Sequence, residues 1–479
     1  MLQRRDMLKF GALAGVAVAL PFKGEYQAVG ATALPVLPVQ VPFQVPLTVP
    51  PVARPVVSTP DMDTYLITMR RADVELLPGT RTRIWGYDGI FPGPTIKVRA
   101  GKRVEVLQRN ELGVRTSVHR HGGDQPADSD GQPMDVIEPQ GSKLYHYPNI
   151  QPAATLWYHE HAHGIEARGV YMGLAALYLI SDELEDSLRL PRGDYDVPLV
   201  IADRLFAPNG SLIFTPRVGD DLLHLRKTIL VNGRPQPYFQ VGARKYRFRL
   251  LNASNERIYQ LRLSTGQELV QIASDSGLLP APVGVKSIEL FPAERVEIVV
   301  DFSRYQPRTR LVLHNLAGED PLTQALMRFD VVDTAPDNSQ IPDTLRPLPP
   351  TDKPAAERDF VMSLDPLTLE FVINGKPFDP NRVDVRPRLG STEIWRIHNA
   401  DTLGFAHSLH THLARFRVLD RDGKPPRPSE SGIKDTVSVR PGETVRILPR
   451  FVHFPGRFVY HCHQLSHTHS MMATMEVVR

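Results

Sequence analysis

The sequence predicts an all-β protein made of three Greek-key β-sandwich domains in tandem. Two observations support this prediction. Turn-forming residues are abundant, with 44 prolines and 33 glycines among 479 residues, and one strand-and-turn pattern occurs three times. The length also favours several domains, because a single hydrophobic core rarely grows beyond about 250–300 residues.

The threefold pattern sets the predicted domain boundaries. Each copy has a turn, a strand of alternating polar and apolar residues and a second turn ending at an asparagine. The strands follow Gly101, Gly242 and Gly390, roughly 140–150 residues apart, which is the size of one sandwich domain. A similar strand closes each copy, at residues 156–159, 311–314 and 458–461. We therefore predict domains at 58–188, 189–350 and 351–479, with the proline-rich residues 341–354 as the second linker.

The N-terminus predicts export. Residues 1–33 have the outline of a twin-arginine signal peptide, because Arg4 and Arg5 precede a short apolar run. An amphipathic or disordered tail is the alternative. The run is too short to span a bilayer comfortably, so no stable membrane anchor is expected. Residues 34–57 are rich in proline and valine and predict an extended lead-in. We expect the twin-arginine export machinery as a partner and a periplasmic or secreted location.

The charge pattern excludes some partners. The formal net charge is only +3, and no run of basic residues predicts a surface that binds a phosphate backbone. No nucleic-acid partner is therefore expected. The charged residues of the middle domain are interpreted as solvated faces. Nothing in the sequence indicates an oligomer, and a monomer is expected.

The histidines are concentrated in the first and third domains. Of 17 histidines, six lie at 119–163 and nine at 398–469, so the middle domain is expected to lack a metal motif. Side chains two residues apart on a strand share a face, about 7 Å apart. Eight imidazoles suit a cluster of copper, zinc, iron or nickel ions. They form four His-x-His pairs: His119/His121, His159/His161, His410/His412 and His461/His463.

Cys462 is the only cysteine and lies between His461 and His463. A lone cysteine is often a small buried hydrophobic residue. Here, however, it points to the opposite face from its two neighbours, where His407, His467 and Met472 complete a blue-copper set of one thiolate, two imidazoles and a thioether. Structural zinc would need four ligands with a different spacing. We therefore predict two copper sites back to back, joined through the residues flanking Cys462.

With these four motifs, the chain from about residue 60 to its end resembles the multicopper oxidases. The resemblance is to their three-domain bacterial laccase-like branch, with spore-coat laccase, bilirubin oxidase and the copper-efflux oxidases. It implies cupredoxin-like domains and four copper ions. It also implies one-electron oxidation of a small-molecule donor at the type 1 copper and reduction of O₂ to water at a trinuclear cluster, with electrons passing through Cys462, His461 and His463.

The resemblance also implies a ligand for each copper. His407, Cys462, His467 and the axial Met472 would hold the type 1 copper, and His119 and His410 the type 2 copper. The sequence does not say which histidines share which type 3 copper. Those six are His121, His159, His161, His412, His461 and His463.

Proton delivery is the least certain part of this resemblance. The family places an acidic residue nine positions after the second histidine of the first motif, which is Asp130 here. An aspartate beside a glycine is also a common turn former. The chain departs from the family pattern at Arg120, Ser408 and Thr468, where relatives usually have tryptophan, proline and often glutamate. We therefore expect protons to depend on Asp130, so that Asp130→Asn leaves O₂ only partly reduced.

The donor is the remaining question. A phenol or an aromatic amine is preferred. Cu(I) is less favoured, because the 11 methionines form no methionine-rich tract. Mn(II) and Fe(II) are further alternatives, and a non-catalytic scaffold or a copper carrier is a different class that would not need the eight paired histidines. The histidines outside the motifs are expected to be structural. His163 follows the second motif closely and is a candidate for contacting a copper ligand without binding copper itself.

Overall fold

The computed structural model describes residues 41–215 and 223–479. The described residues belong to one compact unit, Leu37–Arg479. The predicted export signal, and the lead-in before residue 41, lie outside the described residues. The rest of the lead-in is extended, and Leu47 and Ala53 donate backbone hydrogen bonds to Tyr238 and Thr95.

The first sandwich consists of two sheets, with strand orders β1-β2-β5-β7 (β3 also pairs with β2) and β4-β9-β8-β6. Two short helices, α1 (Glu166–Met172) and α2 (Glu183–Ser187), follow β8 and β9. The strands are β1 (Val57–Ser58), β2 (Met62–Leu77), β3 (Thr80–Tyr87), β4 (Ile96–Arg99), β5 (Arg103–Asn110), β6 (Val118–His121), β7 (Ser142–Tyr147), β8 (Ala154–Glu160) and β9 (Ala175–Ser181).

The second sandwich has sheets of order β12-β11-β10-β14-β19-β16-β17 and β13-β21-β20-β15-β18. Its one α-helix among the described residues is α3 (Pro321–Gln324). The strands are β10 (Asp196–Arg204), β11 (Thr228–Val231), β12 (Arg234–Pro235), β13 (Tyr238–Ala243), β14 (Lys245–Asn252), β15 (Tyr259–Leu263), β16 (Leu269–Ser274), β17 (Gly277–Val285), β18 (Ile288–Leu290), β19 (Arg295–Asp301), β20 (Arg310–Asn315) and β21 (Ala325–Thr334).

The third sandwich has sheets of order β23-β22-β24-β28-β26 and β27-β25-β29-β30. The short helix α4 (Leu465–Thr468) follows β29. The strands are β22 (Ala356–Leu364), β23 (Phe371–Ile373), β24 (Ser391–Asn399), β25 (His407–Thr411), β26 (Arg415–Arg421), β27 (Thr436–Val439), β28 (Thr444–Phe451), β29 (Gly456–Cys462) and β30 (Met472–Val477).

The repeated pattern corresponds to repeated structure. The equivalent strands β5, β14 and β24 each pair in parallel with the first long strand of their sandwich. Each ends in a buried asparagine that makes the same hydrogen bonds. Its side-chain Nδ2 donates to two backbone carbonyls, and its Oδ1 accepts from the backbone N–H two residues later. These asparagines are Asn110, Asn252 and Asn399.

Three separate cores hold the sandwiches together. Each is a buried apolar cluster that takes side chains from both sheets of one sandwich, which removes the inner face of each sheet from water. The prediction of an all-β protein with three tandem cupredoxin-like sandwiches is confirmed. No helix in the part of the chain that the structure describes is long and apolar enough to cross a membrane.

One prediction about the middle domain is wrong. Its charged residues do not all form solvated faces, since Arg247, Arg249, Arg295, Asp275 and Glu297 are at most 5% exposed. They are buried as ion pairs, which the alternating pattern of the strands does not reveal because a paired charge can occupy an inward position.

Candidate metal centre

Two neighbouring strand pairs carry the histidines. In the first sandwich, β6 and β8 are adjacent and His119 pairs in register with His159. In the third sandwich, β25 and β29 are adjacent and His410 pairs with His461. The second histidine of each motif is on β6 or immediately beyond the end of its strand. Both sandwiches therefore present a double row of imidazoles from strand ends.

The structure brings the eight paired histidines together in one buried group, which we call the cluster histidines. None is more than 1% exposed. Nitrogen atoms of His121, His159 and His463 lie within 4.8 Å of one another, and so do those of His161, His412 and His461. The Nε2 atoms of His119 and His410 lie 3.4 Å apart. A nitrogen atom of His121 also lies within 4.8 Å of those of His119 and His410, so His121 belongs to two of these groups.

Hydrogen bonds to backbone carbonyls orient four of the cluster histidines. In each, Nδ1 donates to a carbonyl 2.6–3.0 Å away, so that Nε2 carries the lone pair and faces the other imidazoles. The four pairs of donor and acceptor are His119 with Asp130, His159 with Glu160, His410 with Asp435, and His461 with Cys462.

Two cluster histidines are oriented by carboxylates instead. His412 donates from Nδ1 to Asp130 Oδ2 at 2.6 Å, which leaves Nε2 free. His121 has the opposite tautomer, because its Nε2 donates to Asp435 Oδ1 at 3.0 Å and its Nδ1 has no hydrogen-bond partner. His121 therefore offers Nδ1 where the five histidines above offer Nε2.

The cluster histidines fit metal ions. Burial lowers the pKa of His159 to about 3 and holds that of His121 and His463 well below its usual range, so these imidazoles are neutral and can donate lone pairs. His159 Nε2 and both nitrogens of His463 are buried with no hydrogen-bond partner among the described residues. Unpartnered buried polar atoms are costly, and metal ions bound between them would satisfy them.

A second group, the thiolate site, lies on the other side of β29. Cys462 Sγ is 3.7 Å from Nδ1 of both His407 and His467, and those two nitrogens are 3.2 Å apart. Met472 is fully buried and opens β30, the strand paired with β29. Burial raises the pKa of Cys462 to about 12, so a bound cation is needed to stabilise the thiolate.

Two phenylalanines cover the thiolate site, and no motif in the sequence indicated them. The ring of Phe371 stacks on His467 with 3.7 Å between centroids, and Phe405 meets the same imidazole edge-on at 6.0 Å. His407 and His467 are accordingly 0% and 2% exposed. Aromatic cover of this kind keeps water away from the imidazoles and makes their surroundings apolar.

The structure places the carboxylate of Asp130, the predicted proton-delivery residue, in hydrogen-bond contact with one cluster histidine, His412. Asp130 is fully buried, where it ends a short 3₁₀ turn. It accepts hydrogen bonds from His412, Gln125 and Gln132. Because these donors occupy its carboxylate oxygens, Asp130 is suited to orienting His412.

Two of the three departures from the family pattern, Arg120 and Thr468, have local explanations. Arg120 points away from the cluster histidines into the core of the first sandwich, where it lies over the rings of Tyr147 and Tyr178 and donates to Asn149. Ser408 is buried on β25. Thr468 is buried in α4 and donates to the carbonyl of Cys462 at 2.7 Å.

Asp435 and Arg295 are functional candidates that sequence reasoning missed. Asp435 accepts from His121 and pairs with Arg295, which comes from the middle domain. A single aspartate before β27 and a single arginine in β19 carry no motif. The only signal was an arginine at an inward position of β19.

Most of the remaining histidines make structural contacts. His398 contacts Thr444 and His453 contacts Asp124. His163 and His469 stack with 5.0 Å between their ring centroids. In the described residues, none of these four belongs to a group that could hold a metal ion.

Fold and site together define a class of protein. Eight buried imidazoles beside a cysteine flanked by histidines, held between the first and third of three sandwiches, are the centre of a copper-dependent oxidoreductase with several metal ions. The donor set is too rich in nitrogen for structural zinc.

Comparison with known proteins identifies the family. Multicopper oxidase family models match residues 68–185 and 347–479. A laccase of Bacillus stratosphericus is 38% identical over 89% of this chain and 97% of its own length. A crystal structure of laccase from Pediococcus acidilactici superimposes with a TM-score of 0.84 at 34% identity, covering 93% of this chain and 95% of the other. A multicopper oxidase from Campylobacter jejuni, described as a metallo-oxidase, has a TM-score of 0.82 at 26% identity, covering 93% and 98%.

The chain belongs to the multicopper oxidase family. It is therefore a copper protein with four copper ions as the standard complement, and an oxidoreductase.

Proposed function

We propose that the protein is a laccase-like oxidase that takes single electrons from phenols or aromatic amines. The observation that carries this proposal is the apolar surface of the two loops that bring Phe371 and Phe405 over the thiolate site. In these loops Leu367, Leu369 and Leu403 are 92%, 60% and 67% exposed. Exposed leucines grouped in this way favour an apolar, aromatic donor over a hydrated metal ion.

The bound coppers would supply one-electron oxidation of the donor and the four-electron reduction of O₂ to water. His407, Cys462, His467 and Met472 would hold the type 1 copper, and His119 and His410 the type 2 copper. The two groups of three cluster histidines would hold one type 3 copper each. The chain's own part is to keep these imidazoles neutral, oriented and dry.

The path between the sites follows from the chain itself. Cys462 faces the thiolate site, whereas His461 and His463, its covalent neighbours, face the cluster. His461 Nδ1 also donates to the Cys462 carbonyl at 3.0 Å. Electrons taken at the thiolate site thus have a short bonded route through Cys462 to either group of three histidines.

Asp130 is the proposed source of protons for O₂ reduction. Its carboxylate contacts His412 Nδ1, and Gln125 and Gln132 hold it in place. Thr468 carries no acidic proton, so it cannot replace a carboxylic acid. We therefore place the proton-holding group on the Asp130 side of the cluster.

Metal-ion donors are the second candidate. The Campylobacter jejuni structure described as a metallo-oxidase supports it. One observation argues against Cu(I). Met134, at 50%, is the one exposed methionine among residues 41–215 and 223–479, and a soft thioether surface would need several. Asp401, the carboxylate 4.0 Å from His407, is buried and accepts the amides of Leu403 and Phe405.

A steady-state comparison of donors tests the proposal. Copper-loaded protein is mixed with a substituted phenol, Cu(I) or Mn(II), and O₂ uptake and the blue copper–thiolate absorption are recorded. We expect a blue protein with the highest kcat/KM on the phenol. A blue protein that prefers Cu(I) or Mn(II) would make it a metallo-oxidase, and a colourless protein that consumes no O₂ would indicate a scaffold.

We also propose that the protein is exported by the twin-arginine machinery, which supports a periplasmic or secreted location. Arg4 and Arg5 followed by a short apolar run are the sequence features behind this. Substituting both arginines with lysine should retain the protein in the cytoplasm, as measured by cell fractionation. Unchanged export of the double variant would contradict the proposal.

A further inference from the structure

A buried ion pair connects the middle domain to the cluster histidines. Arg295 begins β19 of the second sandwich, and Asp435 immediately precedes β27 of the third. Their side chains are 0% and 1% exposed. Arg295 donates from Nη1 to Asp435 Oδ1 at 2.7 Å and from Nη2 to Oδ2 at 2.5 Å. Asp435 Oδ1 also accepts from His121 Nε2 at 3.0 Å, so the three residues form a continuous chain.

Arg295 is held in a single position. Besides the two bonds to Asp435, its guanidinium donates to the backbone carbonyls of Thr155, Ala293 and Asp275 at 2.9–3.0 Å. These five bonds use all five of its N–H groups. A lysine has only three donors on a flexible stem and could not reproduce this arrangement.

The first histidine motif leaves room for this pair. Gly122, directly after His121, has φ +79°, and a Cβ atom there would lie 2.4 Å from Asp435 Oδ2 and 2.6 Å from Arg295 Nη2. The ion pair is therefore packed against the backbone that carries His121. Any side chain at position 122 would collide with it.

The charges around Asp435 leave Arg295 as its counterion. Lys434 pairs with Asp275 at 2.9 Å and with Glu294 at 3.2 Å, and so it is engaged elsewhere. Without Arg295, the Asp435 carboxylate would be buried with no cation to compensate it. Its carboxylate would then no longer be held by the two guanidinium hydrogen bonds, and its hydrogen bond with His121 would change.

We propose that Arg295 is a positioning residue for the trinuclear copper cluster: through Asp435 it fixes His121 in the tautomer that turns Nδ1 toward His159 and His463. The inference rests on the proposed copper cluster at the cluster histidines. It gives the middle domain an indirect part in copper binding. Arg295 touches neither copper nor O₂ and acts only through Asp435.

The test measures copper rather than activity. Arg295→Met keeps most of the side-chain volume but removes the charge and the donors. We expect it to keep the blue absorption, because the thiolate site is untouched, and to lose copper from the cluster. The chelator concentration that removes half of the cluster copper should fall roughly 10–100-fold, the usual effect of losing a partner behind a metal ligand.

A matched control separates positioning from stability. Arg249 is an arginine of the same domain, also buried and paired with carboxylates, which contacts no cluster histidine. Arg249→Met should lower the melting temperature yet retain four coppers with the chelator resistance of the wild type. Arg295→Lys should lose less cluster copper than Arg295→Met, since it keeps the charge.

Asp435→Asn is the second variant, because it keeps the side-chain shape while removing the charge. It should lose cluster copper in the same way, with the blue absorption intact. If Arg295→Met and Asp435→Asn both hold four coppers as tightly as the wild type, the inference is overturned. A wild type that binds four coppers but oxidises no phenol would contradict the proposed donor alone, because the copper measurements do not depend on the donor.

Discussion

At the scale of single residues, Cys462 shows how much one position on a strand can decide. Its neighbours face the cluster while its sulfur contacts His407 and His467 on the other side. The alternation of side chains along β29 produces this arrangement. Cys462 is thus the point at which two metal sites share one piece of backbone.

Replacing this cysteine should separate the two sites. In Cys462→Ser the hydroxyl is a poor copper ligand, so the type 1 copper and the blue absorption should be lost while the cluster histidines keep their three coppers. Donor oxidation should fall to background. Elemental analysis and visible absorption check this result, and a blue Cys462→Ser protein would contradict the ligand assignment.

Asp130 is the residue on which proton delivery should depend. Asp130→Asn retains an acceptor for His412 but cannot hold a transferable proton, so kcat should fall about 10²-fold while copper content stays unchanged. The measurement is steady-state O₂ uptake together with copper analysis.

The control for this variant lies in the same 3₁₀ turn, where Asp128 is exposed. Asp128→Asn should keep the wild-type rate. Equal turnover of Asp130→Asn and the wild type would remove Asp130 from the proton route.

At the scale of elements, the sequence predicted the strands that carry the metal ligands better than the residues that orient those ligands. The His-x-His pairs and the flanked cysteine identified strands β6, β8, β25 and β29, because the period of a strand is visible in the sequence. The residues that orient the ligands come from elements with no motif, such as Asp435 before β27 and Arg295 in β19. Contacts between residues 140 positions apart cannot be derived from local pattern alone.

The helix α1 contains a carboxyl that should make stability depend on pH. Glu166 is 3% exposed, and burial, helped by the nearby Glu160 carboxyl, raises the pKa of Glu166 to about 8 from its ordinary 4.5. Between these two pH values the unfolded chain is ionised while the folded chain keeps its proton. Stability from this group is therefore fully present below about pH 4.5 and lost as pH rises toward 8.

Glu166→Gln should remove this loss. The variant and the wild type should unfold at similar temperatures near pH 5, and the variant should be more stable by up to about 4 kcal/mol near pH 8. Calorimetric melting across that range measures the difference. Glu183→Gln, at an exposed position of α2, should show no such change. A constant difference between Glu166→Gln and the wild type at every pH would contradict the prediction.

At the scale of the whole molecule, buried charges hold neighbouring sandwiches together. Arg247 and Arg249 of the second sandwich pair with Glu185 of α2, Asp196 and Glu297. The sequence interpretation of middle-domain charges as solvated failed here, because burial of a paired charge depends on tertiary contacts. The number and order of the sandwiches, by contrast, followed from the spacing of the repeats.

Removing one arginine of this network should destabilise the whole protein. Arg249→Met leaves Glu297 and Asp196 buried with one cation fewer, which should cost about 3–5 kcal/mol of unfolding free energy. Denaturant unfolding measures this cost. Arg396→Met, whose side chain is 46% exposed beside Asp359, should cost much less, because solvent screens an exposed ion pair. Similar losses in both variants would contradict the distinction.

The division of the cluster between the first and third sandwiches has a consequence for biosynthesis. The first half of the cluster is complete once His161 has been synthesised, but the other half ends at His463, near the end of the 479-residue chain. No nascent or truncated product that stops before the third sandwich can therefore assemble the cluster. The ribosome must synthesise almost the whole polypeptide before the eight cluster histidines can come together.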